Sequence, residues 1–401
     1  MNASMLSFDE AHDKLLAFVR PVREIEQVDT FIASGRVLAV AQHSSLAQPP
    51  MDNSAMDGYA LRAADVPQPG TRLPVSQRIP AGSVGHPLAA GTAARIFTGA
   101  PLPPGADAVV MQELCEADGD TVIVNHRPRV GEAVRREGED IALGAEILPA
   151  GLRLTPQAIA LAASVGLAQL PVHRRVKVAL FSTGSELVMP GEALPPGGIY
   201  NSNRFLLNAL LAGLGCEVAD FGIVADDLAA TREVLRRAAQ GHDLILTSGG
   251  VSVGEEDHVK PAVEAEGSLD MWKIAMKPGK PLAYGRVHGA AFIGLPGNPV
   301  SSFVTFVMLV RPFVLATQGV ADVAPASLAL RADFDWPQPD RRREFLRARM
   351  NVDGGVELFG NQGSAALNST VWANGLVDIP AGQAVVRGDA VRFLPYAGLL
   401  N

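Results

Sequence analysis

Asp243-Leu-Ile-Leu-Thr-Ser-Gly-Gly-Val-Ser-Val-Gly-Glu-Glu-Asp-His-Val-Lys260 is the stretch whose reading decides the fold. Leu244 to Thr247 is a short, apolar, β-prone run, and it breaks into Ser248-Gly249-Gly250, where backbone can approach a ligand without Cβ interference. That is a strand running into a loop. The loop then carries Ser252, Gly254, the acids Glu255, Glu256 and Asp257, a histidine and Lys260. Donors, carboxylates and a cation converge within a short length of chain, which suits an anionic, phosphate-bearing ligand with a divalent cation. The same letters also describe a Gly-rich surface turn before an acid-capped helix, and the stretch alone leaves both readings open.

Outward from this stretch the rhythm is strand, loop, helix. Strands are expected at Val178 to Phe181, Val218 to Val224, Leu269 to Ile274, Leu282 to Val287 and Ala291 to Leu295. Helices are expected about Asn203 to Leu214, Asp227 to Gln240, His258 to Glu266 and from Pro299. Alternation at this spacing predicts a parallel sheet covered by helices on both faces, with ligands at the strand C-terminal ends. The loops after Phe181, Val224, Thr247 and Leu295 would then share one edge, so that Thr183, Glu186, Asp226, Ser248, Asp257 and Ser301 face one crevice. Lys273, Lys277 and Lys280 add cations, the last two flanking a Pro-Gly turn that fixes their direction. A solvated lysine turn is the alternative for any one of them.

Glu186, Asp226 and Asp257, with the acids near Asp57 and Asp140, suffice to hold Mg²⁺, which takes one or two carboxylates and completes its shell with water and substrate phosphate. Ser and Thr in the Gly-rich loops read as phosphate-binding hydroxyls rather than nucleophiles. The eight histidines form no His-x-x-His pair and no Walker lysine motif occurs, so zinc catalysis and a P-loop are not indicated.

The flanks have a different character. Ser7-Phe-Asp-Glu10 is a capping box opening an amphipathic helix that Pro21 stops, and a β-prone piece follows near Arg36 to Val40. From Met51 to about Gly144 the chain reads as strand and turn, with strands at Ala94 to Phe97, Ala108 to Gln112 and Thr121 to Asn125. Thr155-Pro156 opens another helix, Thr at the N-cap and Pro at N1. A β-rich insertion, 51–144, is therefore expected inside a discontinuous helical and linking domain made of 1–50 and 145–177. The α/β region then occupies 178–325. The tail, 326–401, is expected to be a small all-β domain with strands at Leu328 to Phe334, Glu344 to Arg349 and Val385 to Leu394.

Composition bounds the rest. A chain of 401 residues with 48% hydrophobic and 19% charged residues is an ordinary globular protein of two to four domains, and 40 Gly with 29 Pro imply many turns. A net charge of -8 without long single-sign runs argues against a nucleic-acid surface. Arg341-Arg342-Arg343 reads as a solvated turn before a strand. Two distant cysteines form no disulfide framework, no export peptide is seen, and a cytoplasmic location is expected. Val300 to Val310 is about half of a membrane span and is followed by Arg311-Pro312, so a buried helix is expected and no membrane partner.

Seven ordered motifs carry a resemblance: Asp52-Asn-Ser-Ala-Met-Asp-Gly-Tyr-Ala60, Thr98-Gly-Ala-Pro101, Gly105-Ala-Asp-Ala-Val-Val-Met-Gln-Glu113, Arg136-Glu-Gly-Glu-Asp-Ile141, Ser248-Gly-Gly-Val-Ser-Val-Gly254, Lys277-Pro-Gly-Lys-Pro281 and Gly294-Leu-Pro-Gly-Asn-Pro-Val-Ser301. The chain resembles the MoeA-type molybdopterin molybdenumtransferases, a family that includes the E domain of the scaffold protein gephyrin. The resemblance implies a multidomain α/β protein. Its parts are a three-layer, parallel-sheet, molybdopterin-binding-like domain, an inserted β-rich domain, an elongated discontinuous linking domain and a small C-terminal β-barrel-like domain. It implies a homodimer that takes adenylylated molybdopterin and molybdate, uses Mg²⁺ and releases AMP, with the molybdopterin adenylyltransferase as a possible supplier.

Carried over by motif position, Asp57, Thr98, Asp140, Glu186, Asp226 and Asp257 resemble the acidic, metal- and molybdate-side group, the last three as metal ligands. Lys273, Lys277, Pro296 and Pro299 resemble the substrate side, with Arg347 and Ser364 in the last domain. Thr183, Ser248, Gly249, Gly250, Ser252, Lys280 and Asn298 complete the expected substrate contacts. Ser185, Asn201 and Glu256 depart from the commoner family pattern, bearing on metal affinity and oxyanion preference. Two other readings stand beside the enzyme: a non-catalytic molybdopterin-binding scaffold, because the fold is also used as a receptor-clustering module, and the adenylyltransferase of the preceding step.

Overall fold

The structure is a computed structural model describing residues 5–250 and 258–400. The Gly-rich stretch leads out of the strand Leu244–Ser248, in the middle of a six-stranded sheet ordered 217–224, 177–183, 244–248, 290–295, 281–287, 267–273. The first four strands are parallel, as the alternation predicts. Strand 281–287 runs the other way. Only His288 and Gly289 separate it from Ala290, too few residues for a crossover, so the pair closes as a hairpin with His288 at φ 50°.

Side-chain alternation shows why both faces are covered. Val178, Leu180, Leu244, Leu246, Ile293 and Leu295 point to one face and meet Leu207, Leu210 and Leu211 of the helix Ser202–Gly213 and the helix beginning at Pro299. Ala179, Phe181, Ile245 and Phe292 point to the other and meet Leu235 and Ala262 of the helices Leu228–Ala239 and Val259–Glu266. The N-terminal helix Phe8–Ala17 has its expected capping box and buries Phe8, Ala11 and Leu15 in the first of these cores.

The helix from Pro299 runs on through Arg311-Pro312 to Thr317. Proline lacks an N–H and crowds the preceding turn, and the widened π-turn Phe306–Val310 lies just before it. At 19 residues, with mean hydropathy 1.8 and 94% burial, it is a core helix.

Strands Ile25–Asp29 and Gln169–His173 pair antiparallel, as do Gln42–His43 and Glu146–Leu148, tying together the chain on either side of the insertion. The β-prone piece near Arg36 forms only single bridges, Val37 to Arg153 and Leu38 to Val172. Between these ties stands a second six-stranded sheet, which contains the expected strands and also Gly58–Leu61 and Thr71–Ile79. Gly58 permits the closest approach there, since a Cβ would lie 2.0 Å from the Val110 carbonyl oxygen. At the C-terminus the strands 328–332, 343–350, 355–358, 375–379 and 390–395 close into a small barrel, the ring completed by pairing of 343–350 with 375–379. Met276–Lys277 adds to it as a parallel strand.

Candidate active site

Register fixes the edge of the main sheet. Thr183 pairs with Val224, Ser182 with Ser248 and Ser248 with Leu295, so four strands end at one level and their loops open onto one cleft of about 690 Å³. Gly249 and Gly250 have φ of +88° and +66°, and a Cβ on either would fall within 2.7 Å of Thr183 atoms, Oγ1 for Gly250 and the carbonyl oxygen for Gly249. The double-glycine turn therefore seats against Thr183 as no other residues can.

The cleft gathers Thr183, Glu186, Asp226, Gly249, Gly250, Lys277, Lys280, Pro296, Asn298 and Ser364. Ser248 and Pro299 line an adjoining cavity of about 620 Å³ that shares Thr183, Glu186, Gly249 and Asn298 with it. Among the described residues, neither the Glu186 nor the Asp226 carboxylate accepts a hydrogen bond, and no group of three His, Cys, Asp or Glu is placed to hold a metal. Asp257 and Ser252 lie outside the described residues. Asn201 is buried as the N-cap of the helix Ser202–Gly213, accepting from the Arg204 N–H at 3.2 Å.

Four expected residues sit elsewhere. Lys273 is exposed at the end of its strand and is not among the cleft-lining residues. Thr98 donates to Asp57 Oδ1 through both its N–H and its hydroxyl at 2.8 Å, holding that carboxyl below its ordinary range. Asp140 lines a separate cavity with Asn53, Arg135 and Glu139. None of these four lines the cleft of its own chain.

Arg347 lies behind the cleft, 0% exposed. Burial pulls its guanidinium down to about 10. It donates to Ser369 Oγ at 3.1 Å and to the Gly363 carbonyl at 3.2 Å, and its N–H and C=O are both bonded by the Gln362 amide. It thus supports the loop whose Gln362, Gly363 and Ser364 form the wall. The Arg341-Arg342-Arg343 run is not simply a solvated turn. Arg342 lines the cleft, held by Asp340 at 3.0 and 2.8 Å, and Arg343 grips the buried Asp378 carboxylate with two bonds of 2.7 Å. Arg342, Gln362 and Gly363 are cleft residues that sequence reasoning missed.

A helix-covered sheet with acids, lysines and glycine turns at its carboxyl edge defines a multidomain α/β protein with a charged crevice between sheet and barrel. Residues 6–166 match the MoeA N-terminal region (domain I and II), 179–316 a probable molybdopterin binding domain and 329–396 the MoeA C-terminal region (domain IV). The molybdopterin molybdenumtransferase of Haemophilus influenzae is 37% identical over 99% of this chain and 100% of its own. Molybdopterin molybdenumtransferase 2 of Mycobacterium tuberculosis is 39% identical over 92% and 95%. The crystal structure of the molybdopterin biosynthesis moeA protein from Pyrococcus horikoshii OT3 superposes with a TM-score of 0.87 at 29% identity, over 98% of this chain and 100% of that one. The chain belongs to the MoeA family.

Proposed function

We propose that this chain is a molybdopterin molybdenumtransferase that inserts molybdate into adenylylated molybdopterin, with release of AMP, to give the molybdenum cofactor. The family's named activity supports the reaction class, and one observation carries the reading: Glu186 and Asp226 share a cleft with Lys277, Lys280 and the double-glycine turn. Two unpartnered carboxylates beside lysines fit Mg²⁺, whose remaining sites go to water and phosphate oxygens, so Glu186 and Asp226 would hold it, joined by Asp257. When bound, that ion would neutralise negative charge on the phosphoanhydride through which the substrate carries AMP. The residues do the rest. A cleft lysine and the Gly250 N–H hold the anionic substrate, offsetting the several kcal/mol of repulsion that molybdate would otherwise meet in a low-dielectric cleft.

The division into 1–50 with 145–177, 51–144, 178–325 and 326–401 belongs to this proposal, supported by the strand pairs that join the two sides of the insertion. So does a homodimer. Asp57, Thr98 and Asp140 do not line their own chain's cleft, and a second copy would give them a site to complete. The adenylyltransferase as supplier and a cytoplasmic location complete the reading.

The test is AMP release from purified adenylyl-molybdopterin, with and without molybdate and Mg²⁺. Molybdate-dependent release is expected; binding without release under any of these conditions would replace the enzyme with a binding protein.

A further inference from the structure

We propose that Glu344, on the C-terminal barrel, is a positioning residue that pins Lys277, leaving Lys280 as the cation that meets the substrate's anionic group. This rests on the reading of the cleft as the site of a phosphate-bearing substrate. Backbone pairing begins the argument: Lys277 is in register with Glu344 where Met276–Lys277 adds to the barrel, so the first lysine of the Lys-Pro-Gly-Lys turn is part of a barrel edge.

Glu344 is 1% exposed. Its Oε2 accepts the Trp336 indole N–H at 2.8 Å and the Asp340 backbone N–H at 3.1 Å, and its Oε1 lies 2.9 Å from Lys277 Nζ. Asp340 Oδ2 stands 3.5 Å from the same ammonium while gripping Arg342. Two cations and two carboxylates therefore balance in the cleft wall. A buried carboxylate without a counter-charge carries its burial penalty in full, so Lys277 does not follow a ligand without stranding Glu344.

Lys280 is the contrast. It is exposed, and among the described residues it makes no ion pair. Gly279 before it has φ +100° and no room for a Cβ, which would lie 2.4 Å from Thr305 Oγ1, so the turn that aims Lys280 is set by backbone. One lysine of the turn is structural charge and the other is free for the ligand.

Two measurements on the full chain decide this, with AMP as probe. In ¹⁵N-detected spectra of the lysine ammonium groups, the Lys277 signal is expected to be visible without ligand and to vanish in Glu344→Gln, while the Lys280 signal appears only on adding AMP. In calorimetry, Lys280→Met is expected to weaken AMP roughly tenfold, the loss of one charge-assisted contact. The charge-neutral pair Lys277→Met with Glu344→Gln should cost no more than about threefold. Equal losses in the two, or a Lys277 signal indifferent to Glu344→Gln, would overturn the assignment. If the wild-type protein binds no AMP, the substrate reading falls and the ammonium spectra still decide the role of Glu344, including in any background where the double variant fails to fold.

Discussion

The two edges of the main sheet carry the same kinds of side chain and use them oppositely. At the amino edge, Asp243 takes two hydrogen bonds from Arg174, at 2.8 and 3.0 Å, and a third from the Lys177 N–H at 2.8 Å. At the carboxyl edge, five residues along the same strand, the loops present the Glu186 and Asp226 carboxylates, neither of which accepts a hydrogen bond from the described residues. Charge satisfied inside the protein contributes to stability, and charge left unsatisfied at a crevice is available to a ligand. Lys277 and Lys280 repeat the contrast across a single turn.

The largest expected effect lies at the carboxyl edge. Glu186→Gln and Asp226→Asn should each lower molybdate-dependent AMP release on the order of a hundredfold. Neither should shift the thermal melt, since no bond to the fold is lost. A melt that falls in step with activity would break the comparison by showing that these acids hold structure after all. Asp243→Ala sharpens it from the other side. Removing one member of a largely buried ion pair leaves Arg174 only the more exposed Glu24 at 3.3 Å as a counter-charge, and a loss of about 2 kcal/mol in urea unfolding is expected, with turnover per folded molecule unchanged.

Much of this contrast was legible in the sequence. The alternation Val178-Ala179-Leu180-Phe181 announces a strand with both faces covered, and each residue goes to the face its parity assigns. Ser7 and Thr155 cap helices as read, since capping depends on three or four neighbouring residues alone. The reversed strand 281–287 was missed because its apolar content matches a parallel strand, while the two-residue gap after Val287 is what decides direction. Arg342 and Arg347 were misassigned for a different reason. Whether an arginine faces solvent, a cleft or the interior depends on barrel closure, which pairs residues as distant in sequence as Leu328 and Phe393, and local charge counting does not see it. Asp57 and Asp140 mark the other limit: their motifs are plain, yet adjacency in a motif list does not place them in one chain's cleft.

The smallest expected effect is a change of pH dependence at the amino edge. Burial pushes the Asp243 carboxyl up, but the Arg174 hydrogen bonds and the Lys177 N–H outweigh it and hold the group below its ordinary value. A carboxyl depressed in the folded state binds its proton more readily when unfolded. Its contribution is therefore fully present above about pH 4, the unfolded value, and is lost as pH falls through the lower folded value. Other acids held below their ordinary value, Asp52 and Asp333 among them, contribute with the same sign, so the wild-type melt alone does not isolate one group. The difference between wild type and Asp243→Asn does. It should be roughly constant from pH 7 to 5 and shrink below about pH 4. A difference that stays flat to pH 3 would mean that the asparagine variant loses geometry rather than charge. The amino edge would then owe its stability to the hydrogen-bond pattern, and the contrast with Glu186 and Asp226 would be one of shape more than of ionisation.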